Sequence, residues 1–511
     1  MRVTNSMISN RAQVHIANAK NKLLTAEEQY TTGKKIQRPS DDPTVASRSL
    51  KFRTTYSILT QYVEKNVKDA MEWMDKTESA MKAAAGLLTD MKESFSYGTN
   101  SYPESEERSA LLAKLRQFSN AIFEDNADSD FIGRRLFTGY RTDTSLLFPT
   151  ASDTLEYQIK EKFSSSNIDT IRNVESNIGY VEGNTAQEYA EEQEAKVNTC
   201  YRMQLSYDNC SNSAIKNGDG TVFNLKVITE NGTLTYSPDD DTVGVVSMND
   251  PYAYDIDKYN EENGTDYKVL YVYDAGEVIL SDEVYSDIQQ YNADITIEYT
   301  KKSFEKGDIR PEMYFECTRY DNISKKKIEF ADPSGQKINY EINFSQTITT
   351  NTQAKDAFST QIYRSLDYIA RAIDAVTDVE NRMADVEKKI SNTTDEDEIA
   401  ALNILLDSLK KEQELRVSVM NEAFGKGLTM VENTQETLNV AVADLGAKYN
   451  RLQMTYDRLL DERTSTEEKL SDNEEMDISD LIIYLTQADN LYNAALSATA
   501  RILGNSLLNY I

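Results

Sequence analysis

Apolar residues near the C-terminus recur at alternating spacings of four and three, the pattern typical of a coiled-coil helix. The segment 477–511 opens with small polar residues that suit a helix N-terminus. The main row of apolar and small positions is Leu481, Leu485, Ala488, Tyr492, Ala495, Thr499 and Ile502. A second row widens the apolar stripe and consists of Ile482, Leu496, Leu503 and Leu507. An apolar stripe on a terminal helix gains nothing from folding in water, so it predicts a partner that covers it.

The first helix of the chain is a candidate for that partner. Its heptad row is Val3, Met7, Asn10, Val14, Ala17, Asn21 and Leu24, in which the two asparagines weaken a coiled coil but fix its register. We predict that the two ends pair as helices, within one subunit and between copies. The predicted assembly interface is Val3, Met7, Val14, Ala17, Leu24, Leu481, Leu485, Ala488, Tyr492, Ala495, Ile502 and Leu507. The alternative is that each end packs on a globular domain of its own.

A rigid elbow is predicted after the first helix. Gly33 is a natural helix stop, and Pro39 restricts its neighbours to extended backbone. Asp42 followed by Pro43 is typical of an N-cap with proline at the first helical position. We interpret Asp41 and Asp42 as capping residues rather than metal ligands, because nothing nearby completes a coordination shell.

The apolar period divides the rest of the chain into helical and β-rich parts. Heptad rows run over 52–91 and 428–459, whereas short β-branched and aromatic runs at 223–228, 268–273 and 295–299 indicate strands. The predicted fold class is α+β, with terminal coiled-coil helices, a long-helix bundle and an inserted β-rich domain. The predicted segments are nested. The N-terminal coiled-coil segment, 1–40, pairs with the C-terminal one, 476–511. The two halves of the helix bundle are 41–148 and 338–475, and the β-rich domain is 149–337.

Three segments of the second helical half have their own predictions. Charged helices between about 381 and 427 are expected to form a hairpin around 391–397. Gly425-Lys426-Gly427 is too short for a nucleotide loop and is interpreted as a helix break. The acidic run 467–475 is interpreted as a solvated joint before the last helix.

Composition narrows the possible functions. The chain has 511 residues and a net charge of −30, so nucleic acid and anionic membranes would repel it. No apolar run is long enough to span a bilayer, and the first residues lack the regions of a secretory signal peptide. We therefore expect a cytosolic protein, or one exported by a route that uses no such signal.

Candidate chemistry is sparse along the chain. His15 is the single histidine and is predicted to lie on a helix surface. Cys200, Cys210 and Cys317 have no repeated spacing and are interpreted as isolated thiols, although a bridge between the first two stays open. No paired carboxylates, phosphate loop or nucleophile motif stands out. We expect no enzymatic activity, no cofactor and no metal.

Three motifs in order resemble those of the flagellar hook-associated protein 3 family. They are Thr32-Gly33-Lys34-Lys35-Ile36 with Pro39-Ser40-Asp41-Asp42-Pro43, the glycine–aromatic segment 133–143, and the C-terminal segment 500–511. The resemblance covers roughly 1–148, 338–380 and 428–511. The β-rich domain does not carry it, and the charged helices near 381–427 look like an extra insertion.

The resemblance implies a structural role in the bacterial flagellum, as a ring at the hook–filament junction. The implied partners are further copies of the chain, hook-associated protein 1, flagellin and a flagellar export chaperone, with no nucleic acid and no membrane. The implied location is extracellular, after type III export without a cleaved signal peptide. Flagellin, the filament subunit, shares the nested plan and a related elbow and is the alternative.

Overall fold

The computed structural model describes residues 5–100, 104–191, 193–214, 222–229 and 232–508. The chain forms two compact units, each assembled from separate stretches of sequence. We call them the terminal unit (Met1–Met71, Tyr340–Ile348 and Tyr449–Ile511) and the central unit (Glu72–Asn339 and Thr349–Lys448).

Long helices and a multi-stranded β region confirm the predicted α+β class. The helices are α1 (Asn5–Thr32), α2 (Pro43–Gln61), α3 (Val67–Asn100), α4 (Ser105–Asn120), α5 (Ala186–Glu191), α6 (Ile256–Asn263), α7 (Asp282–Tyr291), α8 (Ala354–Ala357), α9 (Gln361–Asn392), α10 (Glu396–Glu474) and α11 (Ile478–Leu508). A π-helical turn, Tyr62–Asn66, joins α2 to α3, so the heptad row over 52–91 is not regular α-helix throughout. Trp73 is buried in that row and contacts Phe131 edge to face.

The strands form two large sheets and two hairpins. Their bounds are β1 (Asp130–Phe131), β2 (Arg134–Arg135), β3 (Leu155–Phe163), β4 (Ile168–Ser176), β5 (Ala195–Gln204), β6 (Phe223–Thr229), β7 (Gly232–Tyr236), β8 (Val243–Val246), β9 (Val269–Val272), β10 (Glu277–Leu280), β11 (Asp294–Lys301), β12 (Glu316–Asp321), β13 (Lys327–Phe330), β14 (Asn339–Asn343) and β15 (Gln346–Thr349). The sheet orders are β4-β5-β10-β9-β8 and β13-β12-β3-β11-β6-β7. In the five-stranded sheet β8 and β9 are parallel and the other pairs antiparallel.

The two large sheets share one apolar core. Alternate residues of β11, such as Ile295, Ile297 and Tyr299, face residues of β9 and β10 across it. The five-stranded sheet is also covered on its other face, where Leu270 and Ile279 pack with Ile256 of α6. Burial on both faces explains why the runs in β9 and β10 show no alternation of apolar and polar residues.

The charged insertion near 381–427 supports the β region. It forms the predicted hairpin, in which α9 ends at Asn392 and α10 begins at Glu396. A separate apolar cluster joins the hairpin, through residues such as Val386 and Leu405, to Ile178 and Tyr189 of the β region. Arg382 of α9 donates to the Ile178 carbonyl at 2.7 Å and to Glu412 at 2.7 Å.

The expected helix break at Gly425-Lys426-Gly427 is wrong, because α10 continues through it. Gly427 and Gly98 instead allow α10 and α3 to approach closely. A Cβ on Gly98 would lie 2.6 Å from the Phe424 ring, and one on Gly427 would overlap the Phe95 ring. Each helix therefore inserts an aromatic ring over a glycine of the other, and the two rings meet edge to face at 6.4 Å.

The three cysteines are buried, and none of them forms a disulfide. Burial raises the pKa of the Cys200 thiol to about 12 and that of Cys210 to about 12. These thiols are therefore protonated at neutral pH. His15 lies exposed on α1, as expected.

Candidate assembly interface

The first and last helices pack against each other in the terminal unit. Two backbone hydrogen bonds fix their direction: Met476 N donates to Gly33 O at 3.0 Å, and Lys35 N donates to Glu474 O at 2.7 Å. The end of α1 therefore lies beside the beginning of α11, and the two helices run antiparallel.

The inner face of α11 uses the main apolar row of the C-terminal segment. Leu481 and Ala488 are buried, whereas Leu485, Tyr492 and Ala495 are half-buried. The spacings of four and three between these residues keep them on one stripe of the helix. The side chains of Ile502 and Leu507 lie outside the described part of the structure, as does Val3 of the N-terminal segment.

The inner face of α1 is not its predicted heptad row. Ala12, Ala19 and Ala26 are buried, with Ile16 and Leu23 half-buried between them. Each residue of the inner face lies two positions after a residue of the predicted heptad row. Two positions correspond to a rotation of about 200° around the helix axis, which is nearly the opposite face. The predicted row therefore lies on the outside, where Met7 is 51%, Val14 57% and Leu24 46% exposed and Ala17 is also exposed.

Close packing explains this choice of face. An alanine every seven residues makes a smooth strip against which a second helix can lie closely, which the larger residues of the other row would prevent. The sequence contains this signal in Ala12, Ala19 and Ala26, because alanines exactly one heptad apart mark a repeated small position.

The helix pair leaves many large apolar side chains exposed. We call these residues the outer apolar set: Met7, Val14, Leu24 and Tyr30 of α1, and Ile478, Ile482, Ile483, Tyr484, Leu491 and Leu496 of α11. Their exposed fractions run from 40% for Leu496 to 70% for Ile478. These exposed apolar side chains make the helix pair the candidate assembly interface.

The elbow between α1 and α2 is built from local hydrogen bonds. Gly33 has φ +68°, a left-handed conformation that ends α1. Asp42 is the N-cap of α2 and accepts from the backbone N–H of Thr44 and of Val45, and Pro43 is the first helical residue.

The other aspartate and the first proline belong to the loop before that cap. The Asp41 carboxylate accepts from the N–H groups of Arg38 and Gln37, and these bonds lower its pKa. Pro39 is exposed in the same turn. Asp41 thus closes the loop while Asp42 caps the helix.

Most acidic side chains of the run 467–475 are exposed, as expected of a solvated segment. The interpretation of the run as a joint is wrong, because α10 continues to Glu474 and that side chain is buried. Arg53 Nε donates to Glu474 at 2.6 Å, and Lys34 Nζ lies 3.5 Å from the same carboxylate. The hydrogen bonds from Arg53 lower the pKa of Glu474. Asn473 donates to Val45 O at 3.1 Å, so two consecutive residues anchor the end of α10 to α2.

The described residues contain neither a metal-binding cluster nor a membrane-spanning helix. No group of three or more His, Cys, Asp and Glu side chains there could hold a metal ion. Among the helices described, none has the length and apolar character needed to cross a bilayer.

Residues 3–142 match the family described as the bacterial flagellin N-terminal helical region. The chain thus carries a flagellin-type helical segment, and the resemblance drawn from its motifs is confirmed. Flagellar hook-associated protein 3 of Salmonella typhimurium is 24% identical over 172 residues, which are 34% of this chain and 53% of that protein. The Escherichia coli protein of the same name is 24% identical over 145 residues, 28% of this chain and 45% of its own length. The chain spans about half the length of these curated relatives.

Solved structures of similar proteins include two from flagella. A putative flagellar hook-associated protein from Vibrio parahaemolyticus has 10% identity and a TM-score of 0.35, over 85% of this chain and 100% of that one. Flagellar hook-associated protein 3 from Legionella pneumophila has 10% identity and a TM-score of 0.30, over 82% and 98%.

Proposed function

We propose that this protein is a structural, non-enzymatic component of the bacterial flagellum that forms the junction between the hook and the filament. In this role it joins hook-associated protein 1 to the first flagellin subunits. The flagellin-type segment at residues 3–142 and the relatives named hook-associated protein 3 support the proposal. The names of those relatives favour the junction role over flagellin itself.

The outer apolar set is the single observation that supports assembly most directly. The helix pair uses one face of each helix within the subunit and leaves Met7, Val14 and Leu24 on the outside. Burying such residues releases about 25 cal/mol for each Å² of apolar surface removed from water. We propose that neighbouring copies in a ring, hook-associated protein 1 and flagellin bury this set. Before assembly, an export chaperone would cover it during type III export without a cleaved signal peptide, leading to an extracellular location.

Leu481 and Ala488 have a different proposed role, because they are buried inside the pair. They hold α11 against α1 and so present the outer apolar set in a fixed arrangement. A charge at Leu481 would therefore destabilise the subunit itself. The assembly step is better tested at an exposed position.

Ile482→Asp tests assembly at an exposed position of α11, because Ile482 is 48% exposed whereas Leu481 beside it is buried. We expect the purified variant to retain the helical circular dichroism of the parent. In a strain whose chromosomal copy is deleted, it should leave hooks without filaments and release unpolymerised flagellin into the medium, as a charge opposes burial in an apolar interface.

Gln487→Asp is the matched control, since it places the same charge at another exposed position of α11. This variant should restore filaments. Normal filaments on cells carrying Ile482→Asp would refute the proposed interface. A deletion strain that secretes no separate flagellin would instead identify this chain as the filament subunit.

A further inference from the structure

The central unit contains a cleft of about 680 Å³, a size common among small-molecule sites. Its walls are formed by β4 and β5, by the first turns of α9 and by the middle of α10. More than half of its lining residues are Ser, Thr, Asn or Gln. A cleft so rich in hydroxyl and amide groups favours a ligand that forms many hydrogen bonds.

The charged residues of the cleft compensate each other. Arg202 lies 3.3 Å from Asp169, and its other terminal nitrogen lies 3.0 Å from the buried Glu277. Lys426 lies 3.7 Å from Glu422. Because each cation already has an anionic partner, the cleft has no spare charge with which to select a charged ligand.

Three buried polar atoms of the lining residues have no hydrogen-bond partner in the described protein, and one of them is the hydroxyl oxygen of Tyr368. The other two are Nε of Arg202, a donor, and Oδ1 of Asn421, an acceptor. The Arg202 side chain is only 2% exposed. A buried polar atom without a partner costs about 1–3 kcal/mol. A ligand hydroxyl can serve any of these atoms, because it both donates and accepts.

Other lining groups are already oriented. The side-chain amide nitrogen of Gln204 donates to the backbone carbonyl of Arg364 at 3.1 Å. The side-chain amide nitrogen of Gln361 donates to the backbone carbonyl of Gln204 at 3.2 Å. These bonds fix both amides, so their oxygens can accept from a ligand without a further ordering cost. The Tyr368 ring is held in a similar way, since the Arg202 guanidinium stacks 4.2 Å from its centre.

We propose that this cleft binds a neutral, polyhydroxylated ligand of the saccharide class. Its hydroxyl groups would pair with Arg202 Nε, Asn421 Oδ1 and the fixed glutamine oxygens. The aromatic rings of Phe163 and Tyr368, which also line the cleft, would contact the carbon-bound hydrogens of the sugar. This proposal stands independently of the flagellar role, because none of its residues belongs to the terminal unit.

A glycan array of neutral glucose, galactose, mannose and N-acetylglucosamine oligosaccharides, with sialylated counterparts, tests the proposal on the full chain. We expect one or more neutral oligosaccharides to bind, and their sialylated counterparts to bind no better. Calorimetry with the strongest neutral binder should then give at least tenfold weaker binding for Asn421→Ala, which removes a buried acceptor. Asn403→Ala, at an exposed asparagine of the same helix, should stay within twofold of the parent.

Thr429→Trp provides a second variant that removes no buried group. Thr429 is exposed on the α10 wall, so an indole there should obstruct the cleft and abolish binding while the circular dichroism stays that of the parent. Absence of binding to every neutral oligosaccharide would overturn the proposal and leave water as the partner of these groups. Preference for the sialylated compounds, or binding that survives Thr429→Trp, would also overturn it.

Discussion

Glu474 is a buried carboxylate whose partners come from both sides of the elbow. Arg53 belongs to α2 and Lys34 to the turn after α1, and both approach the same carboxylate. The backbone of the next turn is tied as well, since Lys35 N donates to Glu474 O. One residue thus joins the end of α10 to the two segments that the elbow connects.

Glu474→Gln tests this joint, because it keeps the shape of the side chain and removes its charge. We expect the free energy of unfolding to fall by about 1 kcal/mol at pH 7, a modest value since Arg53 is half exposed. Urea unfolding at several pH values measures it. Glu468→Gln, at an exposed position of the same helix, should have no effect.

The pH dependence follows from the lowered pKa of Glu474 in the folded protein. Such a carboxylate stabilises the fold above its unfolded pKa of about 4.3, and the stabilisation is lost as the pH falls through the folded pKa. The difference between parent and Glu474→Gln should therefore be full at pH 7 and vanish in acid. A difference that persists unchanged at the lowest pH would contradict the assignment.

At the scale of single elements, α10 shows how close packing overrides local propensity. Glycine lowers helix stability by about 1 kcal/mol relative to alanine, yet three glycines, Gly425, Gly427 and Gly446, lie inside this helix. Gly425 has open space where a side chain would be, whereas Gly427 faces Phe95 and has Ile369 3.1 Å from its Cβ position. The same residue type therefore serves different purposes two residues apart.

The pair Gly427→Ala and Gly425→Ala separates packing from propensity. Gly427→Ala should destabilise the protein by about 1–3 kcal/mol, because the new methyl group would overlap the ring of the fully buried Phe95. Gly425→Ala should stabilise it by up to about 1 kcal/mol. Thermal unfolding of the two variants measures both changes. Equal effects would show that no close contact exists at Gly427.

At the scale of the whole molecule, the terminal helices differ from the β region in how much apolar surface they bury. The inner face of α1 relies on Ala12, Ala19 and Ala26, whose methyl groups each contribute about 0.8 kcal/mol. By contrast, all residues of β9 and β10 are buried. Helices with so little internal burial are marginal by themselves in water.

Hydrogen exchange of the free subunit should reveal this difference. We expect amides of α1 and α11 to exchange orders of magnitude faster than those of β9 and β10, because less apolar surface opposes their opening. Mass spectrometry of proteolytic peptides measures both regions in one experiment. Protection of α1 equal to that of β9 would contradict this view and would mean that the pair is stable before assembly.

The local pattern of residues in the sequence was sufficient to predict several features of the fold. The α+β class, the strands around 223–228 and 295–299, the helix hairpin near 391–397 and the inner row of α11 all follow from apolar period and turn chemistry. Each of these features depends on residues that are close in sequence, and the spacing of those residues indicates which face of the element is apolar. The capping of α2 by Asp42 is local in the same sense.

Tertiary structure decided what depends on distant residues. The sequence of α1 contains two apolar rows, and only the approach of α11 selected the alanine row as the inner face and left Met7, Val14 and Leu24 outside. Phe95, far away in sequence, makes Gly427 a contact rather than a helix break. Arg53 likewise turns Glu474 from one more acidic residue into a buried anchor. Periodicity specifies what a helix can bury, whereas the shape and charge of its neighbour determine what it does bury.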